Sequence, residues 1–195
     1  SYSPARRTRP RLPALLSPIF ELVLAAGAAC QTTAPAPAAA TDRLVGLAPA
    51  VRAADLRSAG VIDLATLRGQ VVIVDFWASW CAPCRESLPF YQRLVEARGQ
   101  DGLQVLGISV DVERALAERF LTEVPTTFPM AWDADQRLAA SFGLDSMPTA
   151  LIVDRAGVVR DVHKGFVASD QAAIEALIGR LLAEPAPPPV PPAVP

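Results

Sequence analysis

Cys81 and Cys84 are the residues of this chain best suited to chemistry, because they form a C-x-x-C pair, Cys81-Ala82-Pro83-Cys84. Two thiols at this spacing can close a disulfide, and they can also attack and then resolve a disulfide in another molecule. Other uses of the pair fail on composition or spacing. A structural zinc site takes about four ligands, yet the chain has three cysteines and one histidine, His163. Haem attachment needs a histidine directly after the second cysteine, and Arg85 stands there. A purely structural disulfide gains little, since so short a loop constrains the unfolded chain least. No metal and no separate cofactor is expected. The redox couple is the disulfide itself.

Such a pair needs a rigid mount, and the flanking residues supply one. Val71–Trp77 (VVIVDFW) is a continuous β-branched and aromatic run, the pattern of a strand buried on both faces. After the cysteines, Leu88, Tyr91, Leu94 and Val95 recur at helical spacing. The pair therefore sits where a buried strand gives way to a helix. Unpaired N–H groups and the positive end of the helix dipole favour a thiolate there. Cys81 is read as the exposed nucleophile, and Cys84, one turn on, as the resolving thiol. Pro83 is tolerated in the first turn, where its missing N–H costs little.

Further elements follow the same alternation. Leu103–Val110 and Thr149–Val153 read as strands, and Asp111 to about Glu123 as a helix with Leu116 and Phe120 four apart. Asp154-Arg155-Ala156-Gly157 reads as the turn of a hairpin joining 149–153 to 158–163. Ile174, Leu177, Ile178, Leu181 and Leu182 make the apolar stripe of a last helix, with Ser169 or Asp170 as its N-cap. Residues 44–68 hold short strand-like pieces and one helical turn, Asp63–Arg68. The class is α/β, a mixed central sheet with helices on both faces.

Asp75 stands out inside the first long strand, where a carboxylate is costly to bury. Desolvation would raise its pKa and suit it to take a proton from Cys84. The competing reading is a solvated acid at a strand edge.

The two ends are of different material. Six of the 19 prolines lie in residues 1–37 and seven in 185–195. Four of the 18 basic residues are Arg6, Arg7, Arg9 and Arg11, so the rest of the chain is net acidic and nucleic acid is an unsuitable partner. The basic stretch precedes an apolar one, Leu22–Ala29, in the order of an export signal. Two processing points compete: Ala26-Gly27-Ala28 fits the small-x-small cleavage pattern, whereas Gly27-Ala28-Ala29-Cys30 resembles a bacterial lipobox, which makes Cys30 a candidate for lipidation. Residues 31–41 read as a flexible tether, and 185–195 as a polyproline II tail. No run of 18 apolar residues marks a transmembrane helix. The expected division is 1–43 signal and tether, largely disordered; 44–184 one folded domain; and 185–195 a proline-rich tail.

The run Asp75-Phe76-Trp77-Ala78-Ser79-Trp80-Cys81-Ala82-Pro83-Cys84 resembles the active site of thioredoxin-fold proteins. Residues 44–184 as a whole resemble the TlpA/ResA-like branch of exported thiol-disulfide oxidoreductases. Further matches are Leu67-Arg68-Gly69-Gln70, Gly107-Ile108-Ser109-Val110-Asp111 and Met147-Pro148-Thr149. The resemblance implies a thioredoxin-like fold with extra N-terminal strands and an inserted strand-helix segment. It implies that Pro148 is cis and lies against the cysteine pair, that the Met147 backbone pairs with substrate, and that Trp80 shields the disulfide and helps form the docking surface. Asp75 matches a buried acid that assists proton transfer from the second cysteine.

The exported branch usually carries an acid three residues after the second cysteine. Ser87 stands there, before Pro89, and the acid is shifted to Glu86 on another helix face. Asp75 is therefore expected to take over the proton work. Copper handling, which would use C-x-x-x-C and a distant histidine, does not fit, so His163 reads as an ordinary, partly exposed residue. Peroxiredoxin chemistry fits poorly too, because Val74 and Ala78 replace the proline and the Thr or Ser it needs seven and three residues before the reactive cysteine. By resemblance the partners are protein disulfides or thiols, apocytochrome c among them, and a membrane thiol reductase as electron donor. The location is the bacterial periplasm, free or lipid-anchored. The other class of function is a tethered binding or chaperone module whose C-x-x-C is passive.

Overall fold

Seven strands and four helices, together with short 3-10 turns, make up residues 43–186, the part of the chain that the computed structural model describes. Cys30 and nearly all of both proline-rich ends lie outside the described residues. The centre is β3 (Val71–Trp77), every residue of which is buried, as its unbroken apolar run requires. It is flanked by β4 (Leu103–Ser109) in parallel and β6 (Thr149–Val153) antiparallel. Outside β6 lies β7 (Val159–Lys164), its hairpin partner. Outside β4 come β5 (Met130–Trp132), β1 (Arg52–Asp55) and β2 (Val61–Asp63), giving the order β2-β1-β5-β4-β3-β6-β7. The extra N-terminal strands are thus a hairpin added to the sheet through β1 and β5.

The helices are α1 (Cys84–Arg98), α2 (Arg114–Glu123), α3 (Arg137–Ser141) and α4 (Gln171–Ala183). Successive side chains of a strand point to opposite faces, and this assigns the layers. Trp77 packs against Phe120 of α2 at 5.0 Å between ring centroids. Phe76 packs against Phe142, at the end of α3, at 5.6 Å. Hence α2 and α3 cover opposite faces. Because the Arg85 guanidinium lies 4.8 Å from the Phe120 ring centroid, α1 belongs to the α2 layer. Asp75 shares the parity of Trp77 and so faces that layer too.

Two local readings are corrected. The second helix starts at Arg114 rather than Asp111, because the Asp111 carboxylate is drawn into hydrogen bonds with Ser79 and Ser109 that hold it off the helix. Its buried stripe is Ala117 and Phe120, with Leu116 only half-buried. Neither Ser169 nor Asp170 caps α4 through its side chain. Asp170 closes the preceding turn instead, accepting the Val167 N–H at 2.8 Å. At the middle of β4, a Cβ on Gly107 would collide with Met130 Sδ and lie 3.1 Å from Trp77 Nε1, so a larger residue there requires the buried Met130 side chain to move.

Candidate active site

The chain leaves β3 at Trp77, turns through Ala78–Pro83 and enters α1 at Cys84. Cys81 and Cys84 are joined as a disulfide with Cα atoms 5.4 Å apart. The Cys84 backbone N–H points at Cys81 Sγ, 3.2 Å away. That donor is one of the N-terminal N–H groups that the helix cannot satisfy internally, and on reduction it stabilises negative charge on Cys81 more than on Cys84. Cys81 is not the exposed sulfur that its position suggests: 3% of the residue is accessible, against 0% for Cys84. Both belong to the hydrophobic core, because the loop folds back over the end of β3. What solvent contact there is belongs to Cys81.

Asp75 is 0% exposed, which sets aside the reading of a solvated acid at a strand edge, since β4 and β6 flank it on both sides. Neither carboxyl oxygen has a hydrogen-bond partner among the described residues. Burial alone pushes this carboxyl well above the usual carboxylate range. Facing the same layer, α1 presents Cys84, Ser87 and Tyr91 along its buried stripe. Ser87 Oγ is also unpartnered among the described residues. Glu86 is exposed, so the shifted acid points away from the core, as its helix face requires. Burial, followed by the charges of Asp75 and Asp170, pushes the Tyr91 phenol up.

The peptide bond Met147–Pro148 is cis. Thr149 pairs with Phe76 across β6 and β3, which brings the Met147-Pro148 turn to the end of the sheet from which the cysteine loop departs. Trp80 is 67% exposed and lines a cleft of about 660 Å³ with Met147, Val110, Gln136, Ala140 and Leu144. The cleft is thus bounded by the cysteine loop on one side and by the α3 segment and the cis-proline turn on the other. His163 lies outside this group. It is partly exposed and pairs with Asp170 at 3.1 Å. Sequence reasoning missed Asp111 as part of the site, because its hydrogen-bond partner Ser79 lies 32 residues away.

The AhpC/TSA family matches residues 46–162. The thiol-disulfide oxidoreductase ResA of Bacillus thuringiensis (strain Al Hakam) is 28% identical over 98 residues, covering 50% of this chain and 57% of that protein. The chain thus matches a little over half the length of its curated relatives. Among solved structures, a Chlorobium tepidum protein assigned as thiol:disulfide interchange protein DsbE is 34% identical with a TM-score of 0.68, covering 71% of this chain and 97% of that one. A secreted thiol-disulfide isomerase from Corynebacterium glutamicum is 30% identical with a TM-score of 0.61, covering 70% and 85%. With its C-x-x-C at the head of α1 and its cis-proline turn ahead of β6, the chain has a thioredoxin-like fold and belongs to the AhpC/TSA family.

Proposed function

We propose that the chain is a thiol-disulfide oxidoreductase that reduces protein disulfides in the bacterial cell envelope. The observation that carries this reading is the Cys81–Cys84 disulfide at the head of α1 with the Cys84 N–H directed at Cys81 Sγ; the unpartnered, fully buried Asp75 faces the layer that α1 occupies. A substrate segment lies in the cleft by Trp80, against the Met147 backbone and Pro148. The Cys81 thiolate attacks one substrate sulfur, forming a mixed disulfide and releasing the other as a thiolate. Cys84 then gives its proton to ionised Asp75 and attacks Cys81 Sγ. The second substrate sulfur leaves, and Cys81–Cys84 is oxidised as the substrate gains two electrons. A raised pKa brings the proton affinity of Asp75 toward that of a thiol, which makes this transfer easier.

Regeneration needs a dithiol donor, for which a membrane-embedded thiol reductase is the class that fits an exported protein. Disulfide-bonded apocytochrome c is a client of the right chemistry. The signal-like N-terminus and Cys30 fit export with a lipid anchor, which mass spectrometry of the mature N-terminus tests.

Insulin-disulfide reduction with dithiothreitol tests the activity. Turnover that disappears in Cys81→Ser is the expected result, and no turnover in the wild type overturns the reading. The exposed Trp80 cleft also suits a passive binding module, which would hold peptides without turnover and equally well in Cys81→Ser.

A further inference from the structure

Asp111 is a buried carboxylate that the cysteine chemistry does not use. It lies just beyond the end of β4. Its Oδ1 accepts the Ser79 hydroxyl at 2.7 Å, and its Oδ2 accepts the Ser79 backbone N–H at 2.9 Å. Ser109 Oγ donates to Oδ2 at 3.0 Å and accepts the Asp111 N–H at 3.2 Å. The Asp111 carbonyl accepts the Trp132 indole N–H at 2.7 Å. One residue back, the Val110 carbonyl accepts Gln136 Nε2 at 2.9 Å, and the Val110 N–H donates to the Trp77 carbonyl at 3.0 Å.

Three segments, 77–79, 109–111 and 132–136, are therefore tied at one point, immediately before Trp80 and Cys81. Gln136 holds a left-handed backbone, φ 56°, the one non-glycine among the described residues to do so. Such a conformation persists where surrounding bonds over-determine it. Trp80, Val110 and Gln136 also line the cleft. Burying a carboxylate is costly unless it is hydrogen-bonded, and two of the three bonds to this one go to the loop that carries the nucleophile.

We propose that Asp111 is a positioning residue that locks the Ser79-Trp80-Cys81 segment to the cleft, so that a docked peptide disulfide meets Cys81 Sγ in line. This rests on the oxidoreductase reading above. Attack on a disulfide held in the cleft depends on where the loop sits, and a misplacement of about 1 Å can cost roughly a hundredfold in rate. Alkylation by a small reagent needs only a free thiolate, because nothing holds the reagent.

The test uses the full chain in two assays: reduction of a peptide with one intramolecular disulfide, and iodoacetamide alkylation of Cys81 across pH. In Asp111→Asn an amide N–H₂ replaces one acceptor and opposes a Ser79 donor. Peptide reduction is expected to fall about tenfold, while alkylation stays within about twofold at every pH. Ser79→Ala keeps the backbone bond, so it tests the lock even where Asp111→Asn folds poorly, and it should show the same pattern with a smaller loss. The double variant should be no worse than Asp111→Asn alone, since both changes act on the same bonds. Equal losses in the two assays, no loss in peptide reduction, or additive losses in the double variant overturn the proposal. A wild type without peptide turnover sinks the oxidoreductase reading and this one with it, whereas turnover unchanged in Asp111→Asn sinks this one alone.

Discussion

Replacing Asp75 by Asn removes the ionisation of a fully desolvated acid, and the sign of the effect follows from where the proton sits. In the unfolded chain the carboxyl ionises near pH 4. In the folded chain burial holds it well above that, with no hydrogen bond among the described residues to offset the cost of charge. Below both values the two states carry the same proton, and the acid has no pH-dependent effect. As pH rises through the unfolded value, the unfolded chain releases its proton and is favoured, so stability falls until pH passes the folded value. Each pH unit between the two is worth about 1.4 kcal/mol.

Asn has no such linkage. The variant's stability is therefore expected to lack the fall between acidic and neutral pH that the wild type shows. From acidic to neutral pH the variant should gain on the wild type in both unfolding free energy and melting temperature, because only the wild type loses stability as its unfolded state releases the proton. The same change deprives Cys84 of its proton acceptor and should slow resolution of the mixed disulfide by about a hundredfold. Urea unfolding of the oxidised protein across pH, paired with the pH profile of insulin reduction, measures both effects. If wild type and Asp75→Asn show parallel pH dependence in stability and in turnover, the proton-acceptor role is refuted.

Cys84→Ser should trap the substrate on Cys81 as a mixed disulfide, visible on a non-reducing gel and absent from Cys81→Ser; the reverse pattern would exchange the two roles. Gly107→Ala forces a Cβ onto Met130 Sδ and should cost about 1–3 kcal/mol in denaturant unfolding, so unaltered stability would contradict the packing described. Trp80→Ala, at a site 67% exposed, should change stability by less than about 0.5 kcal/mol while raising KM for a disulfide peptide, and an unchanged KM would remove Trp80 from the docking surface.

What local pattern encodes was legible before any fold was known. Val71–Trp77 and Thr149–Val153 form strands with the bounds that their apolar runs mark, because a strand buried on both faces leaves no polar residue to blur its ends. Asp75 is the exception inside one of those runs, and the conflict itself pointed to the site. The stripe Ile174, Ile178 and Leu181 likewise became the buried face of α4. Where the sequence misled, a distant partner had intervened. Asp111 begins no helix, since Ser79 holds its carboxylate. Asp170 does not cap α4 through its side chain, since the Val167 N–H at the start of the preceding 3-10 turn and His163 hold its carboxylate. Bonds of this kind leave no trace in periodicity.

By itself, then, the sequence determined the chemistry, because C-x-x-C spacing at a strand-helix junction brings two sulfurs within bonding reach and aims an N–H of the helix N-terminus at the first of them. Only the tertiary structure decided how the environment tunes it. The pKa of Asp75 depends on β4 and β6 closing over β3 and on α1 covering that face. The cleft beside Trp80 exists because the turn at Met147-Pro148 and the α3 segment meet the cysteine loop. Desolvation and shape are properties of everything packed around a residue, and no local stretch of chain carries them.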